Sequence, residues 1–117
     1  MSKRSEELYL GDMLDHGRRA HAKMSGVSRE HFYANEDLQI ILMHHIRIVG
    51  EAASKVSAAV REQHPEIPWA EVAGMRHRIV HNYYEINTAI LWTVASERLP
   101  DLIAALEAFT PPEPPSA

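Results

Sequence analysis

The stretch from Glu36 to His64 sets the fold class. Leu38, Ile41, Leu42, His45, Val49, Ala52, Ala53, Val56 and Val60 recur in steps of three and four residues, the spacing that gathers apolar side chains on one face of an α-helix. Asn35 precedes the run as a candidate N-cap. Pro65 ends it, because proline lacks the amide proton and its ring clashes with the preceding turn. A helix that long with one apolar face needs partners to cover it. From Glu6 to Met24, a second stripe runs through Leu10, Met13, Leu14, Gly17, Ala20 and Met24, and Gly26 follows where a left-handed C-terminal cap belongs. Ser28 to Tyr33 predicts a short turn or a single helical turn. Pro68 suits the first turn of a third helix reaching Tyr83. Asn87 or Thr88 caps a fourth, apolar at Ile90, Leu91, Trp92, Val94 and Ala95. Pro100 breaks or kinks that segment, and Asp101 to Phe109 forms a last short helix.

The pattern holds no strand and no internal repeat. Short connections between amphipathic helices predict an all-α fold, an antiparallel bundle of four to five helices. The 117 residues suffice for one domain with its own core. That domain is expected over residues 1–109, with the proline-rich TPPEPPSA of residues 110–117 as a disordered or polyproline-like tail. Cysteine is absent, which removes disulfides, thiol nucleophiles and zinc–thiolate sites and agrees with a reducing cytosol. No apolar run approaches the roughly 18 residues of a spanning helix, and MSKRSEE is followed by no signal-peptide core. The expectation is a soluble, cytoplasmic protein with no membrane contact. The net charge of −4 argues against a broad basic face for nucleic acid. Any work on RNA would have to be local.

Residues 75 to 85, MRHRIVHNYYE, are the chemically dense part of the chain. On a straight helix the apolar stripe here is Trp69, Val72, Ile79 and Val80, and Arg76 and Tyr83 fall in line with it. An arginine there either snorkels along the stripe or sits at a mouth in the packed surface. Five residues separate Arg76 from His81, about 140° on that helix. One straight helix cannot aim both at a single atom, so the spacing hints at a site shared by two copies across a two-fold axis. His77 and His81 have the i, i+4 spacing of a metal face, but no third ligand follows, and neither a metal nor another cofactor is expected. His45, on the stripe of the long helix, reads as a satisfied core or interface histidine. An arginine and a histidine at one site suit phosphodiester cleavage. Imidazole moves protons near neutrality, and guanidinium offers a fork to charge developing on phosphorus.

The run from Arg76 through His81 to Tyr83 matches the Arg-x4-His-x-Tyr signature of HepT-like toxins, a branch of the HEPN superfamily. The resemblance spans about residues 8–109, through YLGDML, IVGEAASKVS, HPEIPWAEVAGMRHRIVH and the LW…V…LPDL pattern. It implies a HEPN-like helical bundle that forms a homodimer, with Arg and His of both copies lining a cleft. It implies a metal-independent endoribonuclease, the toxin of a two-gene toxin–antitoxin system. The implied partner is a minimal nucleotidyltransferase antitoxin that adenylylates the motif tyrosine. Carried over, Arg76 stabilises the phosphate, His81 is the acid–base residue and Tyr83 is the modified hydroxyl. His77 and Asn82 stand where relatives often carry Asn and Gly or Asp. Both are auxiliary candidates, as is Glu51, which would orient Arg76. Tyr84 offers a second hydroxyl. The alternative reading is a non-catalytic helical dimer module that binds a nucleotidyltransferase partner or a nucleotide.

Overall fold

The computed structural model describes residues 3–80 and 85–109. Its elements are α1 (Lys3–Lys23), α2 (Arg29–Ala34), α3 (Glu36–Lys55), α4 (Ala58–Gln63), α5 (Trp69–Ala73), α6 (Met75–Ile79), α7 (Thr88–Thr93) and α8 (Leu99–Phe109), with a π-helical turn at Val94–Arg98 between the last two. The fold is all-α, as the periodicity implies. The expected disordered or polyproline-like tail at 110–117 and the segment His81-Asn82-Tyr83-Tyr84 lie outside the described residues.

Helices α1 and α3 form the antiparallel centre. Glu6 reaches Ser57, Lys55 stands over the Tyr9 ring and His16 meets His45, so numbering falls along one helix as it rises along the other. Met13, Leu14 and Ala20 of α1 and Leu42, Ile46 and Val49 of α3 are buried in one apolar core. Gly17 faces α8, where a Cβ would meet the Ile103 side chain at 3.4 Å, an ordinary contact. Gly26 takes the left-handed φ of +72° that the cap requires. Ser28 and Asn35 cap α2 and α3 through their side chains, accepting from His31 N and Leu38 N at 3.1 Å each.

Away from the third helix, the structure differs from the sequence expectation as follows. The long helix does not reach His64. It ends at Lys55, Val56 is extended, and Ser57 caps the separate α4. Polar side chains from elsewhere stabilise that break. Arg61 donates to Ala53 O at 2.8 Å and Val56 O at 3.0 Å, and the buried Glu6 carboxylate accepts from Ser57 N at 3.2 Å. Ile41, assigned to the apolar stripe, is exposed beside Ile40. Of the break or kink expected at Pro100, the break is absent. The rod continues through the π turn of Val94–Arg98 into α8, a wider turn that accommodates the ring and missing N–H of a proline inside a helix.

Candidate functional site

The site rests on how α5 and α6 meet. Trp69 and Val72 point inward from α5, and the Trp69 indole donates to His64 O at 2.9 Å. At Gly74 the backbone turns to φ −96° and ψ 4°, which ends one helix and starts the next. That break resets the helical phase. Met75 and Ile79 now face the core, 3% and 0% exposed, while Arg76, His77 and Arg78 are all exposed. Arg76 is therefore not in line with the apolar stripe, as the unbroken helix would require. The slip of phase keeps a charge out of an apolar setting.

At 100° per residue, and with Met75 and Ile79 inward, His77 points almost directly out and Arg76 and Arg78 flank it at about 80° either side of the inward direction. Arg76 turns toward α3. It shares an open depression of about 400 Å³ with Arg47, Gly50, Glu51, Ser54, Ala73 and His77. Gly50 makes this close approach possible. A Cβ there would come 3.3 Å from Val72 O and 3.4 Å from Ala73 O, against backbone that cannot swing aside. Glu51 pairs with Arg47 one turn earlier at 3.9 Å. Arg78 turns the other way, toward α7 and the π turn, and donates to Glu71 at 3.1 Å.

Sequence reasoning thus located Arg76, His77 and Glu51, and the fold brings them to one depression. It missed Arg47 and Ser54, whose signal was spacing: Arg47 lies four residues before Glu51 and Ser54 three after it, on one helical face. The third helix does not run to Tyr83 either. It stops at Ile79, and Val80 is extended at φ −97° and ψ 113°. Val80 pairs with Ile86 as an isolated antiparallel bridge, and Asn87 N donates to Ile79 O at 2.6 Å. The helical angle between Arg76 and His81 therefore no longer follows from spacing. His81, Asn82 and Tyr83 themselves lie outside the described residues.

The other histidine group lies between α1 and α3. Nδ1 of His16 and Nδ1 of His45 are 3.0 Å apart, one donating and one accepting, and the His44 ring stands beside them. Burial, followed by the charges of His16, His44, Arg19 and Lys23, lowers the His45 pKa from its ordinary 6.5. His45 is a half-buried, hydrogen-bonded residue of the helix packing. Among the described residues, no group of three or more His, Asp or Glu side chains is placed to hold a metal ion, and no helix is long and apolar enough to cross a membrane.

A Thermococcus cleftensis protein named "Probable ribonuclease HepT" is 30% identical over 105 residues, covering 90% of this chain and 96% of its own. A Caldanaerobacter subterraneus protein named as a candidate RNase is 32% identical over 80 residues, covering 68% of this chain and 71% of its own. A Methanocaldococcus jannaschii protein similarly named is 27% identical over 107 residues, covering 92% and 98%. No solved structure gives a significant match. The family model described as ribonuclease HepT-like matches residues 13–109, which takes in the helical core and the whole of α5 and α6, and the chain belongs to that family.

Proposed function

We propose that this chain is a metal-independent endoribonuclease, the toxin of a two-gene toxin–antitoxin system, working as a homodimer. The observation that carries the reading is Arg76. The family's motif arginine is turned out of the core into an open depression, and α6 ends one extended residue before His81. His81 takes the proton from the 2′-hydroxyl next to the scissile phosphate. The 2′-oxygen then bonds to phosphorus and the bond from phosphorus to the 5′-oxygen breaks. One fragment is left with a 2′,3′-cyclic phosphate. The 5′-oxygen leaves with a proton from a second imidazole in the cleft, for which His77 is the candidate. Arg76 offers its fork to the non-bridging oxygens as charge gathers on them. Glu51 and Asn82 are auxiliary to these two, Glu51 by holding the cation cluster of Arg47 and Arg76 in place. A nucleotidyltransferase antitoxin silences the site by transferring AMP to Tyr83, which sets a bulky anion where the RNA backbone would lie.

The test uses chain whose mass shows an unmodified Tyr83, end-labelled RNA and excess chelator. The native chain should cut. His81→Ala should lower the rate by about 10²–10⁴, and Arg76→Ala by about 10²–10³, with folding intact in both. Incubation with the antitoxin and ATP should add the mass of AMP to native chain and not to Tyr83→Phe. Intact RNA with the unmodified native chain would remove the catalytic reading. It would leave the module that binds a nucleotidyltransferase or a nucleotide.

A further inference from the structure

The three exposed residues of α6 do not face a single depression. Arg76 borders the one against α3, whereas Arg78 borders a second, of about 270 Å³, against α7 and the π turn. Arg98, the last residue of the π turn, lines that second depression together with Ile90 and Thr93. One oxygen of Glu71 serves both guanidinium groups, with Nη1 of Arg78 at 3.1 Å and Nε of Arg98 at 3.8 Å.

We infer that Arg78 and Arg98 form a phosphate subsite that holds the RNA backbone beyond the cleavage site, on the far side of the α6 crest. This rests on the ribonuclease reading for its substrate and extends it from one phosphate to a short track. Three observations carry it. First, the two arginines converge on one concave surface although they are separated by 20 positions in the chain. Second, a single carboxylate oxygen holds the pair together, so within this trio two cations share one anion. Third, both arginine side chains are more than half exposed, at 54% and 57%. Their ion pairs with Glu71 are thus weak enough for a phosphate to compete, and five N–H donors per guanidinium leave capacity for it.

The geometry also sets the span. Arg76 and Arg78 leave α6 on opposite sides, so phosphates held by each are separated by roughly the 10–12 Å diameter of a helix with its side chains. The exposed His77 lies between them. The track ends past Arg98, where Glu66 and Asp101 line the adjoining depression over Met75 and repel a further phosphate. A substrate longer than a dinucleotide is needed to reach from one arginine group to the other.

The experiment compares native chain, Arg98→Ala, Glu71→Gln and Arg76→Ala. Binding is measured with a single-stranded 2′-O-methyl RNA of about twelve nucleotides, which cannot be cut, across a salt series. Cleavage is measured on a dinucleotide. Arg98→Ala should weaken binding about tenfold and reduce the salt slope by about 0.7, the share of one phosphate contact. Its kcat/KM on the dinucleotide should stay native. Glu71→Gln should act in the opposite direction and tighten binding. Native affinity and slope in Arg98→Ala, with Arg76→Ala still impaired, would overturn the subsite and leave the ribonuclease reading standing. Weakened binding in Arg98→Ala together with a native chain that cuts nothing would support the subsite and remove the ribonuclease. A native chain that does not bind the oligonucleotide overturns the subsite outright.

Discussion

The phase of α6 decides where every cation of the site points, and it can be tested by stability alone. Truncating Met75 and Arg76 one at a time asks which of two adjacent residues is packed. Met75 is 3% exposed and belongs to the apolar core with Val72 and Ile79. Burying a methionine and then deleting it to alanine costs about 2–5 kcal/mol. Met75 also lines the floor of a depression of about 210 Å³, so solvent can enter part of the vacated space and the cost should sit near the lower end, about 2–3 kcal/mol. For a domain of this size that lowers Tm by about 8–12 °C, taking roughly 4 °C per kcal/mol. Arg76 is exposed, and its truncation should stay within about 0.5 kcal/mol. Urea melts followed by circular dichroism read both variants, with an unchanged m-value required for the comparison. An unbroken helix from Trp69 onward predicts the reverse order. If Arg76→Ala destabilises by more than about 1 kcal/mol while Met75→Ala is neutral, the helix does not reset at Gly74, and the assignment of Arg76 and Arg78 to separate depressions fails with it.

Two further outcomes follow from the packing between α1 and α3. The His45 pKa is lowered in the fold by burial first and then by His16, His44, Arg19 and Lys23, so below the ordinary 6.5 the unfolded chain binds a proton that the folded chain resists. Stability is therefore full above about pH 6.5, falls as pH drops through the range down to the depressed folded value, and levels off below it. His45→Gln should flatten that part of the melting profile, and an unchanged slope in this variant would show that His45 is not its source. At the end of α3, Arg61→Ala should cost about 1–3 kcal/mol, because the Ala53 and Val56 carbonyl oxygens lose the guanidinium N–H groups that donate to them. A loss below about 0.5 kcal/mol by urea melt would show that Val56 and Ser57 break the helix unaided.

Most of the architecture was legible because it follows from local rules. Asn35, Ser28 and Gly26 act through their own backbone neighbours, and each takes the capping role its type suggests. Met13, Leu14, Ala20 and Met24 are buried where a 3.6-residue period puts them. The misreadings share a cause. The break after Lys55 is held by Glu6, 51 positions away, and by Arg61 reaching back to the carbonyls of Ala53 and Val56. The step at Gly74 depends on α5 pressing against Gly50 of α3. Neither is a property of the segment in which it occurs. Periodicity carried past Gly74 put Arg76 in the apolar stripe and left Met75 out of it.

What the sequence determined by itself is the helical class, the caps at Gly26 and Asn35 and most of the stripes of α1 and α3, and it singled out the run from Arg76 through His81 to Tyr83 as the chemically distinctive group. These are set by hydrogen bonds and spacings within a few residues. What only the tertiary structure decided is direction. The close approach of α3 to α5 at Gly50, the reset at Gly74 and the burial of Met75 and Ile79 together turn Arg76 toward Glu51 and Arg47 and send Arg78 toward Glu71 and Arg98. Which way a side chain leaves a short helix depends on which face the rest of the protein covers, and that information is carried by residues distant in the chain.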